Sequence, residues 1–196
     1  MKKFVAIVFF SFLAITSTSH AIMKLGVNAG MNQNKFAYES PGSTQAYSQK
    51  NSMLYGAQLN FDLLPVLDFI VGLRMNEFQG STTALGQEYT LSIKYVEIPA
   101  FVRFHLLPTD MVSLFLDGGL VLGSKSSAAV TPSTGDPQIE SSNTSLLLGF
   151  GAGIDIGIPL QLAIHYQHGI TDVATSSDKL YVRSWAAILN ADILTF

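Results

Sequence analysis

The sequence predicts an all-β protein, an eight-stranded antiparallel up-and-down transmembrane β-barrel, and three observations carry that expectation. Charged residues are only 13% of the chain and the mean hydropathy is +0.33, whereas roughly a quarter of an ordinary soluble domain is charged. After residue 21, no apolar run approaches the ~20 residues that a membrane helix needs. Apolar and polar residues alternate instead with period two, stretch after stretch. A chain this apolar without a spanning helix satisfies its backbone in lipid by closing a sheet on itself.

The elements follow in order. Lys2 and Lys3 precede an apolar run from Phe4 to Ile15, and Ser19-His20-Ala21 sets small residues at −3 and −1 of a cleavage site. Residues 1–21 are therefore expected to be a secretory signal peptide cut after Ala21, with residues 22–196 forming one barrel domain. The chain has no cysteine, which excludes a disulfide scaffold and an acyl anchor. Residues 23–31 set Leu25, Val27, Ala29 and Met31 against Lys24, Gly26, Asn28 and Gly30. The next two runs set Tyr55, Ala57, Leu59 and Phe61 against Gly56, Gln58, Asn60 and Asp62, then Phe69, Val71, Leu73 and Met75 against Ile70, Gly72, Arg74 and Asn76. Past the fourth strand, "SLFLDGGLVLG" (113–123), "LLLGFGAGIDIG" (146–157), "LQLAIHYQ" (160–167) and residues 182–195 continue the pattern. Their lengths suit tilted membrane strands.

The connections alternate in kind. Residues 62–68, 105–111 and 157–160 are short and carry proline, whereas about 32–52, 80–89, 124–144 and 170–181 are longer and polar. Short turns at one end and long loops at the other is the layout of an outer-membrane barrel with periplasmic turns. Tyr55, Tyr89, Tyr166, Tyr181 and Trp185 lie near strand ends, where aromatic girdles sit. A soluble barrel would carry charge on its outer faces; here the apolar faces are nearly free of it.

The fourth strand, "KYVEIPAFVRFH" (94–105), needs the most explanation. Ile98, Ala100, Val102, Phe104 and Leu106 are even-numbered, but Leu91, Ile93 and Tyr95 are odd. If every apolar residue faces lipid, a β-bulge near Tyr95–Val96 must switch the phase. Pro99 removes a ladder donor, so irregular pairing is expected between Tyr95 and Pro99. The run Tyr95-Val96-Glu97-Ile98-Pro99 resembles the fourth strand of the small outer-membrane β-barrels of the porin family. "LQLAIHYQHGITDV" (160–173) is similar to that family's seventh strand through Tyr166, Gly169, Ile170, Thr171 and Asp172. The resemblance implies an eight-stranded outer-membrane barrel with outer-membrane lipid as its surroundings, and it establishes no transport. Phe196 resembles the C-terminal signal read by the barrel-assembly machinery. The better apolar set upstream is Trp185, Ala187, Leu189, Ala191 and Ile193, so either the last strand shifts phase near its end or the signal is a loose one.

With even positions of the fourth strand facing lipid, Glu97, Arg103 and His105 point inward, where Arg74, Lys94, Asp117, Asp155 and His165 join them as a lumenal charge network. An eight-stranded barrel is only wide enough for side chains to fill it. Charges crowded there are expected to pair, because an unpaired charge is costly in a confined interior.

No catalytic site is expected. Outer-membrane lipid A deacylases carry His-x-Ser on one strand, but His168 is followed by Gly169 and Ile170, so the hydroxyl arrives at Thr171, on the other face. His165 and Asp172 do not repair that spacing. The glycine pairs lie within strand patterns and lack the following helix of a nucleotide cradle. The four histidines are too dispersed for a metal site, and no cofactor is expected. A net charge of −3 without a basic patch excludes nucleic acid. The expected function is structural or surface-interacting, through extracellular loops that meet an unidentified ligand or surface. A narrow channel is the alternative, and a lipid A-modifying enzyme acting through His168 the third reading.

Overall fold

The computed structural model describes residues 22–39, 48–84, 87–106, 112–131, 142–172 and 179–196. The expected signal segment, residues 1–21, lies outside them. Eight strands, β1 (Ile22–Glu39), β2 (Ser48–Leu64), β3 (Leu67–Ala84), β4 (Gln87–His105), β5 (Ser113–Thr131), β6 (Thr144–Asp155), β7 (Leu160–Gly169) and β8 (Lys179–Thr195), follow one another around a ring. Each pairs antiparallel with the next, and β8 closes on β1 from Lys24↔Thr195 to Glu39↔Lys179. The amide of Phe196 donates to Met23 O at 2.8 Å, which fastens the C-terminus to the start of the chain. Among the described residues no helix is long and apolar enough to cross a membrane.

Outward side chains form an apolar belt that ends sharply. Met31↔Met53, Met75↔Val96 and Leu122↔Leu146 are neighbouring outward pairs. Two residues nearer the long connections stand Gln33↔Asn51, Glu77↔Lys94 and Ser124↔Thr144. This polar row marks the edge of the lipid. The strands do not stop there, and that corrects the expected loops. β3 and β4 run through most of 80–89, leaving residues 85 and 86 between them, and strands also extend into 32–52 and 124–144. The hydropathy pattern ends where the outer face meets water, but the backbone ladder does not depend on what the side chains face.

The phase of β4 is a second correction. Leu91, Ile93 and Tyr95 are buried, on the same lumenal side as Glu97, Phe101 and Arg103, so β4 alternates without a break. The register shift lies between Lys94 and Tyr95 on the β5 side, where Lys94 pairs Ser127 and Tyr95 pairs Lys125. The extra residue therefore belongs to β5. Past that point Pro99 pairs regularly with Val121. Toward β3 the pairing passes from Val71↔Ala100 to Arg74↔Glu97 with unchanged register, so the ladder lapses where proline has no N–H to give. Unbroken alternation puts Lys94 outward: it is exposed, opposite Glu77, and is not a lumenal charge.

β8 does shift phase. Leu25 pairs Leu194 but Gly26 pairs Asp192, which leaves Ile193 as a bulge. Trp185, Leu189 and Ile193 are exposed, and so are Leu194 and Phe196 beyond it. The bulge lets Phe196 stay on the lipid side although Asp192 turns inward.

Candidate functional site

The lumen is where the chain gathers its chemistry, in three polar tiers and an apolar one. Nearest the short turns, His105 Nε2 meets Asp68 Oδ2 at 2.7 Å and its Nδ1 meets Ser113 Oγ at 2.8 Å. Lys24 Nζ lies 2.9 Å from Asp62 Oδ2 in the same region. A pocket of about 340 Å³ opens there, lined in part by Lys24, Ser113, Asp155 and Asp192. Asp155 does not join the charge network. Its Oδ1 accepts from the Gly157 amide at 3.0 Å, in a turn that Gly157 enters at φ 71°, a conformation glycine adopts without strain.

The second tier is the most tightly held. Arg103 donates Nε and Nη2 to the two oxygens of Asp117, at 2.8 and 2.9 Å, and Nη1 to Gln161 Oε1 at 2.6 Å. Its guanidinium carbon lies 3.6 Å from the centre of the Phe115 ring, a cation–π contact. His165 Nε2 donates to Asp117 Oδ2 at 3.0 Å, because an ionised carboxylate can only accept. Arg103 is 2% exposed and Asp117 is 5%. Beside them Asn28, Gln58, Asn60 and Asp192 form a chain of hydrogen bonds at 3.0 to 3.2 Å.

In the third tier Arg74 Nε donates to Glu97 Oε2 at 2.7 Å, and Asn76 Nδ2 donates to Oε1 at 3.1 Å. Asn32 donates to Asn76, and Asn34 donates to Asn32. The single Ser52 hydroxyl proton faces both Asn32 Oδ1 and the Glu77 carbonyl. The chain thus crosses β1 to β4, and Glu97 at its centre is 0% exposed. Above it Phe36, Phe78, Leu91, Ile93, Tyr95, Leu147 and Val182 form an apolar cluster inside the barrel. The interior is therefore only partly polar, which the sequence reading did not foresee.

Glycines on β6 make room for the rings. A Cβ at Gly149 would lie 2.6 Å from Phe101, one at Gly151 2.3 Å from His165, and one at Gly153 2.2 Å from Phe115. Those distances are impossible for real side chains, so this wall is bare backbone against which three rings pack. The void left at mid-barrel, between Arg74, Phe101, Arg103 and His165, is about 20 Å³. That holds about one water.

Of the residues expected in the network, Arg74, Glu97, Arg103, Asp117 and His165 come together in the two upper polar tiers. His105 stands apart with Asp68 and Ser113; Asp155 and Lys94 lie outside. Lys24, Asp62, Asp68, Asp192 and Gln161 were missed as members, though Lys24, Asp62 and Gln161 lie on the polar side of the alternation with Asn28, Gln58 and Asn60. The chain Ser113–His105–Asp68 was missed altogether, because its members come from three strands. It has the hydrogen bonding of a nucleophilic triad. However, Asp155 and Asp192 line the same mouth, and negative charge there opposes a developing oxyanion. His168 serves no such chain: its Nδ1 meets the Tyr166 hydroxyl at 3.3 Å, while the Thr171 hydroxyl accepts from the Leu146 amide at 2.8 Å.

Beyond the lipid edge, Lys50 Nζ reaches Glu88 Oε1 at 2.9 Å, bridging β2 to β4 over β3. The Lys50 hydrogen bond holds the Glu88 carboxyl below its usual range. Glu88 is exposed and Lys50 half-buried, at the water-facing end of the barrel, so the pair adds little stability.

Comparison with known proteins bears on the fold. A family model described as outer membrane protein beta-barrel domain matches residues 17–175. Neisserial surface protein A (NspA) is 16% identical, with a TM-score of 0.50 over 86% of this chain and 97% of its own. OprG, an outer membrane protein from Pseudomonas aeruginosa, is 9% identical, with a TM-score of 0.54 over 88% of this chain and 95% of its own. The outer membrane enzyme PagL is 12% identical and covers 86% of this chain and 99% of its own, but its TM-score of 0.46 is too low to bear on chemistry. No curated protein matches the sequence. At these identities the structural likeness speaks for the fold alone.

Proposed function

Because the chain belongs to the outer membrane protein β-barrel domain family, and so resides in the bacterial outer membrane, we propose that it is a closed barrel with a structural or surface-interaction role. The observation that carries this reading is the filled lumen. Arg103, Asp117, His165 and Phe101 leave about 20 Å³ at mid-barrel, whereas a continuous path needs a file of waters. The apolar cluster above closes the interior a second time. What remains for contact with the outside is the end where the strands rise past the lipid edge. Residues 1–21 would direct export, and the exposed Phe196 would present itself to the barrel-assembly machinery. Refolded protein in planar bilayers should be electrically silent at neutral pH; steady single-channel steps would make the channel reading the better one.

The Ser113–His105–Asp68 chain favours a second reading, a serine hydrolase at the periplasmic mouth, and gives it a separate test. A fluorophosphonate probe should leave Ser113 unlabelled in the folded barrel, since its hydroxyl is buried among acids and serves to tie β3, β4 and β5. Labelling that disappears in Ser113→Ala would reverse this.

A further inference from the structure

The outward row at the lipid edge is not uniform around the barrel. On the β3–β4 wall Lys94 stands opposite Glu77, so the charges balance. On the β8–β1 wall, two residues past Gln33 on the side of the long connections, Lys35 is the direct neighbour of Arg183, and both are exposed. Among the described residues neither pairs with a carboxylate. His168 flanks Arg183 on the other side, as its partner on β7. Two residues nearer the lipid, Trp185, the β8 partner of Gln33, packs at a tilt against Tyr166 with ring centres 4.9 Å apart, and Trp185 is 57% exposed. Three adjacent strands thus present two unbalanced cations directly above an aromatic pair, facing outward at the level of the headgroups.

We propose that this β7–β8–β1 patch binds the phosphate of an anionic lipid in the outer leaflet. Guanidinium and ammonium groups are complementary to phosphate oxygens, and long basic side chains at a membrane edge reach up to the headgroup while their stems stay in the apolar layer. Tyr166 and Trp185 supply the surface against which the first acyl segment lies, as interfacial aromatics do. The occupant is a lipid and not a free anion, because the patch is continuous with the apolar belt and has no wall on its outer side.

The single tryptophan of the chain lies within the patch, which makes it the reporter. Full-length mature barrel is refolded into vesicles of brominated phosphatidylcholine, whose bromines quench Trp185, and bisphosphorylated lipid A is titrated in. Lipid A that occupies the patch displaces brominated lipid and restores fluorescence. Each basic residue near an anionic surface is worth roughly fivefold in affinity, so K35Q/R183Q should need roughly 30-fold more lipid A for the same recovery. R183Q alone should need roughly fivefold more by the same reckoning, and K94Q should match the native protein. Heat-modifiable gel migration establishes that each variant is folded.

The proposal is overturned if K35Q/R183Q and R183Q titrate like the native protein, or if K94Q weakens binding as much as they do. It also falls if dephosphorylated lipid A restores fluorescence equally. If inorganic phosphate, against chloride at equal ionic strength, abolishes the preference for lipid A, the patch is a free-phosphate site and the assignment to lipid is wrong.

Discussion

Replacing Asp117 with alanine should destabilise the folded barrel by about 3–5 kcal/mol, the cost of removing one partner of a buried ion pair. The carboxylate accepts from Arg103 twice and from His165 once. Without it Arg103 keeps only Gln161 and the Phe115 ring, and a buried guanidinium is left without a counter-charge. Urea titration in lipid vesicles, followed by gel migration, measures the loss. Replacing both partners in R103M/D117L should recover most of it, because two apolar groups of similar volume leave no charge to solvate. If the single and paired variants were equally unstable, the tier would be packing with incidental charge.

Phe101→Ala should lose a similar amount, about 3–5 kcal/mol, for a large core side chain cut to a methyl group. Phe101 is 3% exposed, its ring centre lies 5.1 Å from that of His165, and Gly149 is bare backbone beneath it. The surrounding β-ladders cannot collapse into the space, so the cavity persists beside the void already there. The compensating double variant F101A/G149L refills the hole from the opposite strand and should regain a substantial part of the loss in the same titration. Failure to regain any would mean that the ring and the glycine do not face one another.

Much of this was legible along the chain, and the failures share one cause. Ile98 to Leu106 alternate against Glu97, Arg103 and His105, and lipid demands that alternation residue by residue, so the facing of that half of β4 could be read directly. Leu91, Ile93 and Tyr95 could not be read the same way. They are apolar because a lumen cluster needs them, not because lipid does, and periodicity cannot separate two apolar surroundings. Lys94 was misplaced by the same step, since an assumed bulge on β4 turned it inward when the extra residue is on β5. The long polar stretches were read as loops because hydropathy stops reporting where both faces of a strand meet water. Ser113, Asp68 and His105 are meaningless apart, and only the β3–β4–β5 register makes them neighbours.

Read alone, the sequence was enough to place this chain as an eight-stranded barrel in a membrane, with short turns at one end and charge inside. Each of these follows from a local requirement: a backbone with no water to bond, an outer face with no tolerance for charge, a turn that needs proline or glycine. Only the tertiary structure decided which charges meet, where the lumen is apolar, how far the strands rise past the lipid, and that Lys35 and Arg183 lie side by side. These depend on register between β1 and β8, or between β4 and β7 across the lumen. Register is a sum over the whole ring, and no single stretch contains it.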